Sequence, residues 1–576
     1  MLRQSSPVAV QGARRGFNVY DLVAAALILA WLLAFADASR NMAAPMAVEI
    51  RPISLSPWLL PLYALRSTMR MLAAMTGSLV FTFTFASLAA KSRRAETILV
   101  PMLDILQSVP VLGFISVTVT AFMALAPGHA FGAELAAIFA IFTSQAWNMA
   151  FSFYQSLKTI PEDLKEAASS LRMSPWMRFW RLEVPFAAPA LIWNMMMSMS
   201  GGWFFVVACE AISVGSTSLA LPGIGSYIAA AVSHQDLTAI FWAIVMMLVV
   251  ILAYDQLLFR PLVAWSYRFR FGEEDETPQP RPWMLDVLRR STLVAAVTGP
   301  FERAFNASLR KSMIAPEATR RHAEREAPSP LGDKIWNAGL AIVGLAGAVY
   351  FGRYVLEAFP LGMIGHAFLL GIPTLIRVLV LIALASLVWV PVGIVVGLRP
   401  KLAAAVQPVA QMLAAFPANL LFPIAVSAVV ALHLNADIWL SPLMVLGTQW
   451  YILFNVIAGA SAIPRELKDA SGNLKLRGWL WWRTFALPAV FPYYLTGAIT
   501  ASGGSWNAAI VSEWVSWGDN HLVAHGIGAY IAQATEAGAM DRVMLGIVVM
   551  IVYVIGVNRL IWRPLYALAE RKYRIN

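Results

Sequence analysis

The sequence repeats itself at a fixed offset of 303 positions, pairing Pro161 with Pro464, Trp203 with Trp506 and Arg260 with Arg563 without a gap. A repeat of that length is a duplicated domain rather than a solenoid unit. The chain must fold as two similar halves, and in each half the repeated text surrounds a basic loop between long apolar runs. Each run has roughly the 20 residues a helix needs to cross a bilayer. In the first half they lie near 20–38, 68–90, 99–125, 131–154, 187–212 and 238–259, and in the second near 335–357, 367–397, 402–432, 437–459, 490–515 and 543–562. Hydrophobic residues make up 59% of the chain and charged residues 13%, against roughly 25% charged in a soluble protein. The expected fold is an all-α polytopic membrane protein with two parallel repeats of six transmembrane helices, about 12 spans in all.

The net charge of +11 could suggest nucleic acid, but in a membrane chain basic excess usually reports topology. No Lys or Arg falls between Ala95 and Leu157 or between Leu182 and Phe259. Basic residues collect in alternate loops, such as Lys158 to Arg181 and Arg260 to Arg270, and again at Arg465 to Arg483 and Arg563 to Arg574. By the positive-inside rule these loops and both termini are cytoplasmic, with Arg40, Arg51 and Arg542 as minor exceptions on the outer side. Arg14 and Arg15 before an apolar run imitate a secretion signal. The second half's own first span, near 335–357, cannot be a signal peptide, so the N-terminal run reads as a first span. The single cysteine, Cys209, excludes an internal disulfide and any multi-cysteine metal site and reads as a packing residue.

The expected domains are a first repeat over 1–262, a cytoplasmic linker over 263–333 and a second repeat over 334–576. The linker holds the acidic run Glu273 to Glu276, prolines at 278, 280 and 282, and a mixed-charge stretch. That composition predicts partial disorder, with a surface helix over 283–311. The Asn306-Ala307-Ser308 sequon lies on the cytoplasmic side in this topology and reads as chance.

Before the fifth run of each half stands a short cytoplasmic loop. The first reads Pro161-Glu162-Asp163-Leu164-Lys165-Glu166-Ala167-Ala168-Ser169-Ser170-Leu171 and ends at Val184-Pro185; the second reads Pro464-Arg465-Glu466-Leu467-Lys468-Asp469-Ala470-Ser471-Gly472-Asn473-Leu474 and ends at Leu487-Pro488. Pro followed by an acidic residue starts a helix, and Leu and Ala at three- and four-residue spacing give it an apolar side. One such loop reads equally well as a connecting helix on the membrane surface. Two at equivalent positions do not.

These residues resemble the EAA loop of bacterial ABC-importer permeases, in which Glu-Ala-Ala is followed three residues later by Gly and then by Leu-Pro. Glu166-Ala167-Ala168 with Pro185 fits that spacing, and Asp469-Ala470-Ser471 with Leu487-Pro488 fits it more loosely. Both loops depart at the glycine, which is Arg172 in one and Lys475 in the other; Ser174-Pro175 and Gly478 follow. Ser200-Gly201-Gly202-Trp203 with Glu210, and Gly503-Gly504-Ser505-Trp506 with Glu513, are similar to the fifth span of the nitrate, sulfonate and taurine permeases. Gly223-Ile224-Gly225-Ser226-Tyr227 and Gly526-Ile527-Gly528-Ala529-Tyr530 follow at the same offset. The resemblance covers about 500 residues and identifies the chain as a fused, duplicated permease of the bacterial inner membrane.

The resemblance implies that Glu166, Ala167, Ala168 and Leu171, with Asp469, Ala470, Ser471 and Leu474, dock on a cytoplasmic ABC ATPase present as two copies or domains. No G-x-x-x-x-G-K-[ST] phosphate loop occurs in this chain. Thus no cofactor is expected on it, and ATP and magnesium are expected on the partner. A periplasmic or extracytoplasmic solute-binding protein is expected at the outer connections, 214–236 and 517–540; nucleic acid is not expected. The candidate path residues are Gly201, Gly202, Trp203, Ser505, Trp506 and Asn507. At a rise of about 1.5 Å per residue from Pro189, Gly201 and Trp203 lie about 18–21 Å into a core about 30 Å thick. Glu210 lies at about 32 Å on that scale. It and Glu513 are therefore expected at the outer rim, cheaply solvated, in bracing or docking roles. Paired glycines equally suit helix packing. Phe204 aligns with Asn507 and Gly202 with Ser505, which predicts hydrogen-bonding groups on one side of the path.

A secondary transporter with two parallel six-helix halves is the alternative. It would want midplane ionisable residues, for which Asp104 and Asp255 are the further candidates, and it leaves the duplicated loops unexplained. A membrane enzyme lacks support, since the seven histidines form no H-E-x-x-H pair.

Overall fold

The computed structural model describes residues 18–43, 53–108, 111–125, 129–214, 217–269, 282–311 and 330–573. Arg14, Arg15, Arg51 and the run Glu273 to Glu276 lie outside the described residues.

Each apolar run becomes helical, because in lipid a helix satisfies its backbone groups internally. The first half contains α1 (Val19–Ala43), α2 (Leu60–Lys91), α3 (Arg93–Ser108), α4 (Ile115–Leu125), α5 (Phe131–Lys158), α6 (Glu162–Ser170), α7 (Val184–Glu210), α8 (Ile224–Ser233) and α9 (Leu237–Tyr254). Helices α10 (Trp283–Arg290) and α11 (Thr292–Lys311) occupy the linker where one surface helix is predicted. The second half contains α12 (Pro330–Ala358), α13 (Leu361–Gly397), α14 (Pro400–Ala415), α15 (Phe422–Ala431), α16 (Gln449–Ser461), α17 (Arg465–Asn473), α18 (Leu487–Ser512), α19 (Ile527–Glu536) and α20 (Met540–Val557). Two antiparallel hairpins, β1 (Ala211–Val214) with β2 (Thr217–Ala220) and β3 (Trp514–Trp517) with β4 (Asn520–Val523), pair Ala211 with Ala220 and Trp514 with Val523.

Among the described residues, eight helices are long and apolar enough to cross a membrane, or up to ten if two bent pairs count as one span each. The expected figure of about 12 is not reached. One reason is local: α14 and the helix resuming at Ala418 meet at 78°, where Phe416 takes an extended ψ of 127° ahead of Pro417. The proline ring excludes the helical conformation from the residue before it. The 26-residue α18 is not one of the eight; its centre reads Gly-Ala-Ile-Thr-Ala-Ser-Gly-Gly-Ser-Trp-Asn, which is polar for a span.

The chain gathers into two compact units. The smaller comprises Met1–Ser39, Thr159–Ile192 and Ala253–Ala327 and includes α1, α6, α10 and α11. The larger, Arg40–Lys158, Trp193–Leu252 and Pro328–Asn576, holds the cores of both halves. Within it α2 packs on α5 and α16 packs on both α13 and α18.

Both loop helices end in the same turn. In α6 the Met173 N–H reaches back to Ala168 O at 3.1 Å and Arg172 N–H to Ser169 O at 2.9 Å; in α17, Leu476 N–H reaches Ser471 O at 3.2 Å and Lys475 N–H reaches Gly472 O at 3.0 Å. This is the Schellman ending, which needs a left-handed residue just past the cap. Arg172 (φ 50°) and Lys475 (φ 51°) supply it. They stand where the resembled loop has glycine, the residue that takes this conformation at least cost.

In each half the C-terminal end of the fifth-run helix, α7 or α18, is closed by a buried carboxylate. Arg70 on α2 gives Nε and Nη2 to the two oxygens of Glu134, both at 2.6 Å, and Nη1 to Glu210 Oε1 at 2.6 Å. Ser67 Oγ donates to the same Glu210 oxygen at 2.6 Å, and the Gly225 N–H donates to the other at 2.7 Å. In the second half Arg377 bridges Glu513 at 3.0 Å and Asp437 at 2.7 Å, Thr374 Oγ1 donates to Glu513 at 2.8 Å, and the Gly528 N–H donates at 2.8 Å. Glu134 and Asp437 keep the 303 offset, whereas Ser67 and Arg70 pair with Thr374 and Arg377 at 307. The four-residue shift in the repeat therefore falls between Arg70 and Glu134.

Removing the cation from a buried charge cluster leaves carboxylates without compensation. Arg70→Met is expected to lower stability by about 3–5 kcal/mol in thermal melting of the purified chain. Arg377→Met should cost less, because its partner Asp437 is 37% exposed and keeps His525 Nδ1 at 3.1 Å; equal losses would contradict this ranking. Arg172→Gly and Lys475→Gly should each raise stability by about 1 kcal/mol, since a left-handed non-glycine residue costs that much or more.

Candidate functional site

The residues assigned to docking lie on one exposed stretch in each loop. Glu166, Ala167 and Leu171 are exposed while Ala168 is buried; Asp469, Ala470 and Leu474 are exposed while Ser471 is buried. Leu171 and Leu474 are 69% and 71% exposed, the most open leucines of the two loops. Each loop thus presents an acidic side chain, an alanine and a bare leucine, held by a small residue packed beneath. An apolar knob beside a carboxylate suits a basic groove with an apolar floor.

Between the halves, inside the larger unit, lies a cavity of about 170 Å³. It is several times the about 30 Å³ share of one water molecule. Of the six candidate path residues, Gly201 and Asn507 line it. The other four pack behind the wall. Trp203 and Trp506 are each 1% exposed, and Trp506 stacks on Tyr553 at 6.2 Å. Gly202 is a packing glycine, since a Cβ there would stand 2.6 Å from Gln145 Nε2 and 2.9 Å from Met71 Cε. Ser505 Oγ lies 3.0 Å from Thr448 Oγ1, turned into its neighbour.

Polar groups reach the cavity from both halves, not one: Thr143, Asn148 and Ser200 from the first, Tyr451, Thr500 and Asn507 from the second. Asn148 and Tyr451 occupy equivalent repeat positions, a match that the fifth-span comparison alone does not reach. Among the described lining residues none is Lys, Arg, His, Asp or Glu. Several hydroxyls donate to their own helix, as Thr143 Oγ1 does to Ala140 O at 2.8 Å and Thr500 Oγ1 to Thr496 O at 2.9 Å. Trp147, also in the lining, has a buried Nε1 with no hydrogen-bond partner among the described residues. The site therefore offers neutral donors without a fixed charge.

Glu210 and Glu513 are not solvated at a rim. They are 0% and 1% exposed, in the charge clusters described above. The return path of the chain explains both the burial and the glycine motif. Each hairpin turns the chain back so that Leu221 N–H meets Glu210 O and Ala524 N–H meets Glu513 O, both at 2.9 Å. The following helix then sets its N-terminus on the carboxylate, where backbone N–H groups and the helix dipole favour negative charge. A Cβ on Gly223 or Gly526 would fall 2.3 or 2.2 Å from that carboxylate. Glycine is the residue that permits the approach. The charge partners Arg70, Glu134, Arg377 and Asp437 are absent from the sequence-derived site, although an arginine inside an apolar run was the signal that marks them. Asp255, the other ionisable candidate, pairs with Arg260 at 2.8 Å, and the side chain of Asp104 lies outside the described residues.

Comparison with known proteins matches both halves to one pattern. The chain is 26% identical over 175 residues to the nitrate import permease protein NrtB of Synechocystis, covering 30% of this chain and 60% of that protein. It is 30% identical over 177 residues to the bicarbonate transport system permease protein CmpB of Synechococcus elongatus, covering 31% and 60%. A NrtB of Leptolyngbya laminosa is 28% identical over 172 residues, covering 30% and 58%. The chain thus spans about 60% of the length of these relatives. The family pattern described as the inner membrane component of binding-protein-dependent transport systems matches residues 82–259 and again 389–574, more than half of the chain and once in each repeat. This chain is a multi-pass membrane protein that belongs to the family of binding-protein-dependent transport system inner membrane components, with the family unit present twice.

Proposed function

We propose that this chain is the permease of an ATP-binding-cassette importer of the bacterial inner membrane, with both repeats of one molecule, 1–262 and 334–576, enclosing a single path and 263–333 joining them. The observation that carries the reading is the double family match, with each copy holding its own exposed loop helix. One molecule then engages two ATPase copies, which hold the ATP and magnesium, while a solute-binding protein delivers cargo at the hairpin face. Both termini are cytoplasmic by the distribution of basic loops.

The cargo is a small monovalent oxyanion of the nitrate or bicarbonate kind, the cargoes in the relatives' names. The neutral lining supports this. A path must hold its ion weakly enough to release it, and Asn148, Tyr451 and Asn507 offer hydrogen bonds without the trap of a buried cation. Selection then rests with the solute-binding protein. Sulfonates and taurine are the larger cargoes that the same uptake assay tests. A secondary transporter would want an ionisable coupling group in the path, and the described lining residues include none.

Glu166→Arg with Asp469→Arg reverses the charge of both loop helices at exposed positions. The double variant is expected to melt like the parent, lose co-purification with the ATPase and lose ATP-driven uptake; retained assembly and uptake would refute the docking assignment. Asn148→Leu removes the amide's hydrogen-bonding groups from the cavity without changing the number of side-chain heavy atoms. Uptake of labelled nitrate or bicarbonate into proteoliposomes should fall at least about tenfold, the scale of one or two lost hydrogen bonds, with ATPase assembly intact. Unchanged uptake of both ions would exclude this amide from the path, and uptake driven by an ion gradient without ATP would overturn the importer reading.

A further inference from the structure

We propose that linker helix α11 is an amphipathic helix lying in the anionic cytoplasmic leaflet, tethered there by the ends of two spans of its own unit. The first tether is Asp21, in the opening turn of α1. Its carboxylate accepts hydrogen bonds from Thr292 N–H at 2.6 Å, Leu293 N–H at 3.1 Å, Ser291 Oγ at 2.8 Å and Thr292 Oγ1 at 3.0 Å. A residue of the first span thus caps the linker helix from outside, satisfying N–H groups that a helix start leaves orphaned. Tyr20 and Asn18 add to it: Arg290 Nη1 donates to Tyr20 Oη at 3.2 Å, and Asn18 Nδ2 donates to Arg290 O at 3.2 Å.

The second tether is Phe305, whose ring meets Trp180 edge-on at 5.3 Å. Trp180 lies near the start of the continuous helical run Pro175–Glu210, which is long and apolar enough to span. Thirteen residues separate Thr292 from Phe305, about 20 Å of helix. A helix of that length, interrupted only by Pro300 and fastened on both sides of it to the beginnings of spans, runs along the membrane surface. By the distribution of basic residues those beginnings lie on the cytoplasmic side.

The helix is composed for that place. Successive residues turn by about 100°, which puts Leu293, Val297, Phe301 and Ala304 on one arc with Ser308, and Glu302 and Asn306 on the other, with Arg303 and Arg310 between the two. Leu309, on the side facing the protein, is 3% exposed, whereas Val297 and Phe301 are 53% and 75% exposed. An apolar arc with arginines beside it is what a leaflet of acidic headgroups selects. The proposal needs α1 and Pro175–Glu210 to be spans and does not depend on the cargo.

The test places single cysteines at Val297, Phe301, Glu302 or Asn306 in a full-length Cys209→Ala background, labels each with an environment-sensitive fluorophore, and reconstitutes the protein in phosphatidylcholine vesicles with or without phosphatidylglycerol. With phosphatidylglycerol present, labels at Val297 and Phe301 are expected to be quenched by a lipid carrying a nitroxide near its headgroup and spared by aqueous iodide; labels at Glu302 and Asn306 should show the reverse. Omitting phosphatidylglycerol, or combining Arg303→Gln with Arg310→Gln, should weaken lipid quenching at Phe301. Iodide quenching equal at Phe301 and Glu302 would put the arc in water and overturn the proposal. Shielding of Phe301 from both quenchers would mean that protein, such as the ATPase or a second copy, covers the arc, and would overturn it too. Lipid quenching indifferent to phosphatidylglycerol would overturn the anionic assignment.

Discussion

A carboxylate buried at the C-terminal end of the fifth-run helix of each half, α7 or α18, organises this molecule. Glu210 must be compensated from several directions at once, because burying an isolated charge is far more costly than any single hydrogen bond can offset. Compensation recruits Arg70 and Ser67 from α2, and through Arg70 it recruits Glu134 at the start of α5. It also recruits the N-terminus of α8, returned by the β1–β2 hairpin. One side chain therefore ties four elements of the first half. Glu513 does the same in the second half, with Thr374, Arg377, Asp437 and the start of α19. The clusters differ in exposure: Arg70 is 4% exposed, while Arg377 is 11% exposed and its cluster adds the open His525. The second half is braced less tightly.

This division of charge has a functional sense. The fixed ions sit in the braces, and the central cavity is left to hydroxyls, amides and aromatic rings. Under the proposed function, glutamates and arginines facing the cavity would give a passing anion either repulsion or a well too deep to leave. Locking them against one another frees the path to bind weakly.

The spans, the loop helices and the duplicated text were legible because they are local or periodic. An apolar run of span length has little choice in a bilayer, and Pro161-Glu162 or Pro464-Arg465-Glu466 starts a helix whatever surrounds it. The linker helix was visible for the same reason, though not its break at Ser291. Trp203 and Trp506 were harder. Depth along the helix placed them near the middle of the membrane, but depth does not say which way a side chain turns, and both turn into packing while Phe204 and Asn507 line the cavity. Arg70 and Arg377 could have been found by asking what an arginine does inside an apolar run.

Sequence alone determined that the chain is a duplicated, helical membrane protein with two loop helices, since composition, periodicity and the 303-residue offset are properties of the chain read in order. It did not carry the conformation after each loop helix, because Arg172 and Lys475 conceal what a glycine would have announced. Tertiary structure decided which residues meet. The pairing of Arg70 with Glu210 across 140 positions, and the retreat of Trp203 and Ser505 from the cavity, depend on how helices distant in sequence are rotated against one another. That rotation is set by the joint packing of all of them, and no single segment encodes it.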